Sequence, residues 1–405
     1  MTVALIIFAA TYLVLVIGEL PGFRVYRTSA AFIGAVCMVG SGALPADRLL
    51  TAIDFPTLVL LFSMMIVAAC LRLSGAFRLV ADLVLRRAAG PYQLLAVVVL
   101  LAGVLSACFV NDVVCIVLAP LLLDVLRALE RKPVPYLIAL ATAANIGSVA
   151  TITGNPQNMI IGSLSGIPYR SFAGALWLPA LVGLAIAYGL IALMFRRDLT
   201  TGVPASPPRR SIVRVHRWLA LKNGAITVLL LGTLIAGAPI AFSSAAAAAW
   251  MLFTRRVKPA KVFALIDWEL LVLFAGLFVV VGGLEHGGLD AWLRVQLQSS
   301  PALVSDVWFT AASVALSNVV SNVPAVLLLK RVVPMFPNAT HAWLLLALSS
   351  TLAGNLTIPG SVANLIVIEA ARRRGVEIRP LTYMLVGVPL TVFTLMVGML
   401  LLGTP

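Results

Sequence analysis

Apolar runs of about 18–22 residues follow one another along nearly the whole chain, separated by short polar or basic breaks. Runs of that length match the roughly 30 Å hydrocarbon core of a bilayer, so each predicts a membrane-crossing helix. The first, Thr2–Leu20, lacks a basic start and reads as a span rather than a cleavable signal. Two runs are interrupted where they should be most apolar. ALATAANIGSVATITGNPQNMIIG carries Thr151, Thr153, Gly154, Asn155, Pro156, Gln157 and Asn158 in its middle, and STLAGNLTIPGSVAN does the same around Thr357, Gly360 and Asn364.

Composition changes the picture from many helices to a polytopic membrane protein. The 405 residues are 61% hydrophobic and 11% charged, with a mean hydropathy of +1.07, well outside the range of soluble domains. The net charge of +14 would point to nucleic acid in a soluble protein. Here most Lys and Arg lie between apolar runs, where the positive-inside rule expects them, so no nucleic-acid partner is expected. The solvent that matters is the lipid bilayer. Cys37, Cys70, Cys108 and Cys115 all sit in apolar segments without a CxxC, and no metal site is expected.

The halves repeat. Ile53–Asp54 and its apolar run match Ile266–Asp267 and theirs. SACFVND, starting at Ser106, matches SNVVSNV, starting at Ser317. The interrupted blocks align Thr151 with Thr357, Gly154 with Gly360 and Asn158 with Asn364. Corresponding loops differ in charge. The loop before Asp267 has Arg255, Arg256, Lys258 and Lys261, whereas the loop before Asp54 is nearly neutral. Arg72, Arg78, Arg86 and Arg87 follow the first run, but Glu285, Asp290 and Arg294 follow the second. Opposite charge on equivalent loops predicts opposite sidedness, hence two inverted repeats. Lys330 and Arg331 run against this pattern.

The expected architecture is all-α and polytopic, with about ten transmembrane helices, two re-entrant hairpins, outer termini and a cytoplasmic linker. Residues 1–195 form the first repeat, with a hairpin over 91–130 and a broken helix over 135–166. Residues 196–219 form the linker. Residues 220–405 form the second repeat, with a hairpin over 302–334 and a broken helix over 341–371.

Irregular backbone at membrane depth leaves N–H and C=O groups that lipid cannot satisfy. It persists only when buried in protein or lining a wet cavity, and discontinuous helices of inverted repeats build ion and substrate sites in secondary transporters. Freed carbonyls hold cations, half-helix N-termini favour anions, and Asn offers both a donor and an acceptor. Small residues and Pro also serve plain helix packing, but their duplication at equivalent points favours a binding site.

FVNDVVCIVLAPLLLDVLRAL (Phe109–Leu129) resembles the corresponding stretch of ArsB-type arsenite permeases. ANIGSVATITGNPQNMIIG resembles the equivalent block of divalent-anion:sodium symporters and of YbiR-type anion transporters, all of the Ion Transporter superfamily. The resemblance implies an elevator-type homodimer with a scaffold and a mobile transport domain. It implies one cation site at Ser106, Asn111 and backbone near Gly147, and a mirror site at Ser317, Ser321, Asn322 and backbone near Ala353. Substrate would lie between the tips, near Asn111, Asn322, Asn158, Asn364, Thr151, Thr357, Asn155, Gly154 and Gly360. The implied function is permeation of a small inorganic or organic anion across the inner (cytoplasmic) membrane, with sodium or protons as coupling ion and no other cofactor. Arsenite- or antimonite-type efflux and sodium/proton antiport are the alternatives on the same fold.

The symporters carry Ser-Asn-Thr at both tips, whereas this chain has Val110-Asn111-Asp112 and Ser321-Asn322-Val323. Asp112 is a carboxylate deep in an apolar segment, a functional candidate by default and suited to proton coupling; a helix-capping role is compatible with that. Asp54 and Asp267 read as caps at span starts, and Asp124 has Arg127 as a possible partner. His216, His286 and His341 lie in the linker or at span ends and read as solvated. Cys108 and Cys115 flank the first tip, where a thiolate would suit trivalent arsenic, though Cys is also an ordinary buried residue. No nucleophile–base pair and no HExxH is present, which disfavours an intramembrane enzyme. Two hairpins in a duplicated core suit a carrier better than a channel.

Overall fold

The computed structural model describes residues 2–18, 22, 25–85, 90–200, 216–288 and 304–403. Arg24, Arg86, Arg87, Asp290, Arg294 and most of the 196–219 linker fall outside the described residues. Among those described, every helix or turn of helix that organises the fold follows from an apolar run. In chain order they are α1 (Thr2–Ile17), α2 (Arg27–Gly40), α3 (Phe55–Ser74), α4 (Pro91–Cys108) and α5 (Asn111–Ala128). Next come α6 (Val134–Ser148), α7 (Pro156–Ser165), α8 (Tyr169–Met194), α9 (Arg217–Ile235), α10 (Ile240–Leu252) and α11 (Trp268–His286). The last are α12 (Asp306–Val320), α13 (Asn322–Leu329), α14 (Ala339–Leu352), α15 (Val362–Arg372) and α16 (Pro380–Leu402).

Six of these are long and apolar enough to cross a bilayer: α3, α4, α8, α9, α11 and α16. The shorter apolar helices α1, α2, α6, α10 and α12 have 13–16 residues. At 1.5 Å per residue they rise less than the full hydrocarbon thickness. The sequence expectation of about ten spans therefore exceeds the number of helices that qualify by length and composition, because α1, α2 and α10 are short and the interrupted runs are divided into separate helices. The outer faces carry exposed Leu193, Val228, Phe242 and Leu400, each at least 68% accessible, as a lipid-facing surface requires.

The helices pack as two groups. α2 lies against α11, α3 against α10, and α1 and α9 complete that group. In the other, α4 packs on α6, α5 on α15, α8 on α16 and α12 on α14. Contacts between the groups are sparse and run mainly through α3–α7 and α11–α13. Asp54 caps α3, accepting from the Thr57 N–H at 3.5 Å, and Asp267 caps α11, accepting from Leu270 N–H at 2.9 Å.

Two helix pairs turn back on themselves: α4 into α5 through Phe109–Val110, and α12 into α13 through Ser321. Two runs are broken. α6 stops at Ser148, a 3-10 turn occupies Ile152–Gly154, and α7 restarts at Pro156. α14 stops at Leu352, and α15 restarts at Val362 after turns at Ala353–Asn355 and Ile358–Gly360. The break has a local cause in each case. Pro156 has no N–H for the preceding turn, and Pro359 sits in the turn before α15. Thr151, Asn155, Thr357 and Ser361 are all extended. Gly154 is needed because a Cβ there would lie 2.3 Å from the Ser148 carbonyl oxygen.

Charged pairs gather at the helix ends. Asp124 pairs with Arg374 at 2.7 Å, not with Arg127, so its partner comes from a distant segment. His341 is buried and lies 2.9 Å from Asp306, so it is not the solvated residue its place at a span start suggested; the start of α12 folds over it. His216 and His286 are exposed. Lys330 and Arg331, the basic pair that runs against the charge pattern, both pair with Glu285, Lys330 at 3.1 Å. Their charge is thereby partly offset locally.

Candidate functional site

The broken helices are held by matching devices. Asn155 caps α7, accepting from Asn158 N–H at 2.8 Å, and Ser361 caps α15, accepting from Ala363 N–H at 3.2 Å. Asn158 Nδ2 donates to the carbonyls of Ser148 and Thr151, each at 3.0 Å. Asn364 Nδ2 donates to the equivalent carbonyls of Gly354 (2.7 Å) and Thr357 (3.0 Å). Both Asn side chains thus satisfy carbonyls that the break frees. Thr151 Oγ1 donates to the Ala107 carbonyl at 2.5 Å, and Thr357 Oγ1 donates to Asn318 Oδ1 at 2.9 Å. Ala107 and Asn318 occupy the same register on α4 and α12, so each break is tied to its own hairpin.

The breaks are also tied across the halves. Asn145 on α6 donates to Asn355 Oδ1 (2.9 Å) and Asn364 Oδ1 (3.1 Å) and accepts from Ser361 Oγ and Asn111 Nδ2, both at 2.9 Å. Its counterpart on α14, Thr351, accepts from Asn155 (3.2 Å) and Gln157 (3.3 Å) and donates to Asn158 Oδ1 at 3.3 Å. The segment before each break therefore contacts the break of the other half.

A cleft of about 360 Å³ opens beside this network. Four helix N-termini of the hairpins and breaks reach it, α5 at Asn111, α13 at Asn322, α7 at Pro156 and α15 at Val362, and the starts of α2 and α11 line its other side. Each contributes partial positive charge. Asn111, Asp112, Gln157, Ser321, Asn322 and Ser361 supply the polar lining. Asp267 and Glu269 lie on the far wall with Arg27, the one basic residue among the described lining. The Asp112 carboxylate lies near the Ala363 N–H, at the start of α15 in the other half.

Of the residues expected at the substrate site, Asn111, Asn322 and Gly360 line the cleft, with Asp112 and Ser321 beside them. Asn158, Asn364, Thr151, Thr357, Asn155 and Gly154 lie behind it and hold the breaks in shape. Ser106 and Ser317 are buried, and neither hydroxyl has a hydrogen-bond partner among the described residues; the same is true of Asn322 Oδ1. An unpartnered buried oxygen is costly, and here it recurs at equivalent positions of both hairpins. Such oxygens suit a hard cation. Gly147 lets α6 approach α4 closely, since a Cβ there would lie 2.1 Å from the Gly103 carbonyl oxygen. The Ala353 carbonyl accepts from Asn318 Nδ2 at 3.0 Å. Cys108 and Cys115 do not line the cleft, and Cys115 is fully buried.

Residue-by-residue reasoning missed Asn145, Thr351, Gln157, Asn318 and Ser361. Asn145 had a signal, a bare amide inside an apolar helix. Three of its four partners, Asn355, Ser361 and Asn364, lie more than 200 residues away, and no local pattern pairs them with it.

A citrate transporter family model matches residues 5–353. The silicon efflux transporter LSI3 of Oryza sativa is 31% identical, covering 98% of this chain and 96% of that protein. Inner membrane protein YbiR of Escherichia coli is 30% identical over 87% of this chain and 88% of its own length. The putative transporter arsB of Dictyostelium discoideum is 24% identical over 92% of this chain and 86% of its own. Among solved structures, the Alcanivorax borkumensis YdaH transporter shares the fold, with a TM-score of 0.60 at 17% identity, covering 98% of this chain and 95% of that one. With its apolar helices, paired hairpins and twice-broken core, this chain is a membrane transporter, not an enzyme, and belongs to the citrate transporter family of the Ion Transporter superfamily.

Proposed function

We propose that the protein is a secondary active transporter that moves a small oxyacid by alternating access across the inner membrane, driven by sodium or protons alone. The two halves are inverted repeats. The group containing the hairpins and breaks slides, elevator-like, against a scaffold of α1, α2, α3, α9, α10 and α11, within a homodimer.

The cleft carries this reading. Its lining includes Arg27 and Glu269 at the starts of α2 and α11, and α11 follows the basic loop of Arg255–Lys261, which the positive-inside rule assigns to the cytoplasm. At the opposite end Ser163 Oγ donates to Asp54 at 3.3 Å and Glu285 holds Lys330 and Arg331, ties that join the two groups. The conformation is then open inward and closed outward.

Charge selects the substrate. Asp112, Asp267 and Glu269 oppose a single Arg27 in the lining. With Asp112 ionised, the helix N-termini around it already have a negative partner. An uncharged, hydroxyl-bearing oxyacid of the arsenous or silicic acid kind fits such a cleft better than citrate, and the names of the rice and Dictyostelium relatives point the same way. Uptake of arsenite, silicic acid, citrate and sulfate into proteoliposomes, under imposed sodium or proton gradients, tests this. Saturable transport of an uncharged oxyacid is expected; citrate or sulfate transport alone would refute the substrate class.

A second reading has its own support. The unpartnered hydroxyls of Ser106 and Ser317 suit a cation at each tip, and such cations, with a protonated Asp112, would admit a small anion among the four helix ends. Thermal stability in sodium against potassium separates the two. Sodium stabilisation that disappears in Asn111→Ala or Asn322→Ala would favour the anion symporter. A pH dependence that disappears in Asp112→Asn, without a sodium effect, would favour proton-coupled efflux.

A further inference from the structure

Far from the cleft, the end of α5 and the segment after α15 enclose a second cavity of about 750 Å³. Four guanidinium groups line it, those of Arg127, Arg131, Arg373 and Arg374, against one carboxylate, Asp124. Arg374 is committed: it donates to Asp124 at 2.7 Å and to the Pro120 carbonyl at 2.5 Å, fastening α15 onto α5. Arg373 donates to Glu369 at 2.9 Å. Arg127 and Arg131 have no ion pair among the described residues, and Arg131 is half-buried.

Basic residues at helix C-termini complement the helix dipole, and basic residues at cytoplasmic ends set sidedness. Neither role requires four of them to share one concavity. Nor does either explain the wall of Leu123 and Leu126, which places the cavity where apolar and polar surroundings meet. Planar guanidinium forks bind phosphate oxygens two at a time, and basic pockets between membrane helices on the cytoplasmic side suit phospholipid headgroups.

We propose that this cavity binds a phosphate group, either the headgroup of an anionic phospholipid or a free phosphate, through Arg127, Arg131 and the outward edges of Arg373 and Arg374. Both walls belong to the hairpin-bearing group. The bound phosphate therefore stiffens that group without bridging it to the scaffold, and it stabilises rather than gates.

The test uses the purified full chain in an uncharged detergent. Its unfolding midpoint is read with dioctanoyl phosphatidylglycerol, dioctanoyl phosphatidylcholine or inorganic phosphate, for wild type and Arg127→Gln/Arg131→Gln. Phosphatidylglycerol is expected to raise the wild-type midpoint by about 2–5 °C, phosphatidylcholine not at all, and the variant is expected to lose the shift. Inorganic phosphate reproducing the full shift would assign a free phosphate as the ligand; a shift with phosphatidylglycerol alone would assign the lipid. No shift with either, or an undiminished shift in the variant, overturns the proposal. Should the double variant fold poorly, Arg127→Gln alone, at an exposed position, gives the same reading. The measurement involves no transport and no cleft residue, so its failure leaves the transport reading standing.

Discussion

The two hairpin tips occupy equivalent places and are built differently. The first turns through Phe109–Val110 with an ordinary backbone, Val110 having φ −56°. Its Asn111 is bound by Asn145, and its Asp112 reaches the start of α15. The second turns through Ser321 at φ +80°, a strained conformation for a residue with a side chain. Asn322 keeps an unpartnered Oδ1, and Val323 stands where the first tip has its acid. Duplication has kept the frame, the caps and the break-spanning Asn residues. Divergence has made one tip tied and ionisable, the other strained and open to a ligand.

The largest test of that contrast is steric. Gly147→Ala places a Cβ 2.1 Å from the Gly103 carbonyl oxygen, whereas the matching position is already Ala353. Gly147→Ala is expected to lose monodisperse protein in size-exclusion chromatography, through overpacking of more than about 3 kcal/mol. Ala353→Gly should purify normally. Equal tolerance at both positions would show that the helices separate more readily than this packing implies.

Next in size is the hub. Asn145→Ala leaves several buried polar groups without partners and should cost about 2–4 kcal/mol, visible as a lowered unfolding midpoint. Thr351→Val removes a single hydroxyl and should cost about half as much. A larger loss at Thr351 would show that its bonds to the first break, not the Asn145 hub, carry more of the stability.

Asp112→Asn should abolish the pH dependence of transport in proteoliposomes and slow proton-driven flux by about tenfold or more. Introducing an acid at the other tip by Val323→Asp should not restore it, because that does not return a carboxylate to the place beside the start of α15. An unchanged pH profile in Asp112→Asn would remove the acid from the coupling step.

Ser106→Ala and Ser317→Ala delete hydroxyls that have no protein partner, so the cation-free midpoint should stay within about 0.5 kcal/mol of wild type. Any sodium-dependent stabilisation should fall in each. A comparably small effect is expected of Ser321→Gly, which relieves the positive φ and should stabilise the fold by up to about 0.5 kcal/mol, while Val110→Gly destabilises by a similar amount. Hydrogen–deuterium exchange at the two tips would register the opposite signs.

Much of this molecule was legible in its sequence because the bilayer restricts the possibilities. An apolar run in lipid must be helical, since no water satisfies its backbone, and polar residues inside such a run must be enclosed by protein. Matched Ser, Asn, Thr and Gly positions in the two halves then identified the hairpins and breaks as the places of interest. What sequence could not distinguish is which polar residues face a ligand and which repair the backbone. Asn111 and Asn158 look alike in the chain, but one lines the cleft and the other spans freed carbonyls. That difference, like the Asn145 hub, the Arg374–Asp124 fastening and the half-buried His341–Asp306 pair, depends on contacts between segments apart in the chain. Local pattern fixes where a helix forms and where it must break; only packing decides which side chains meet across the break.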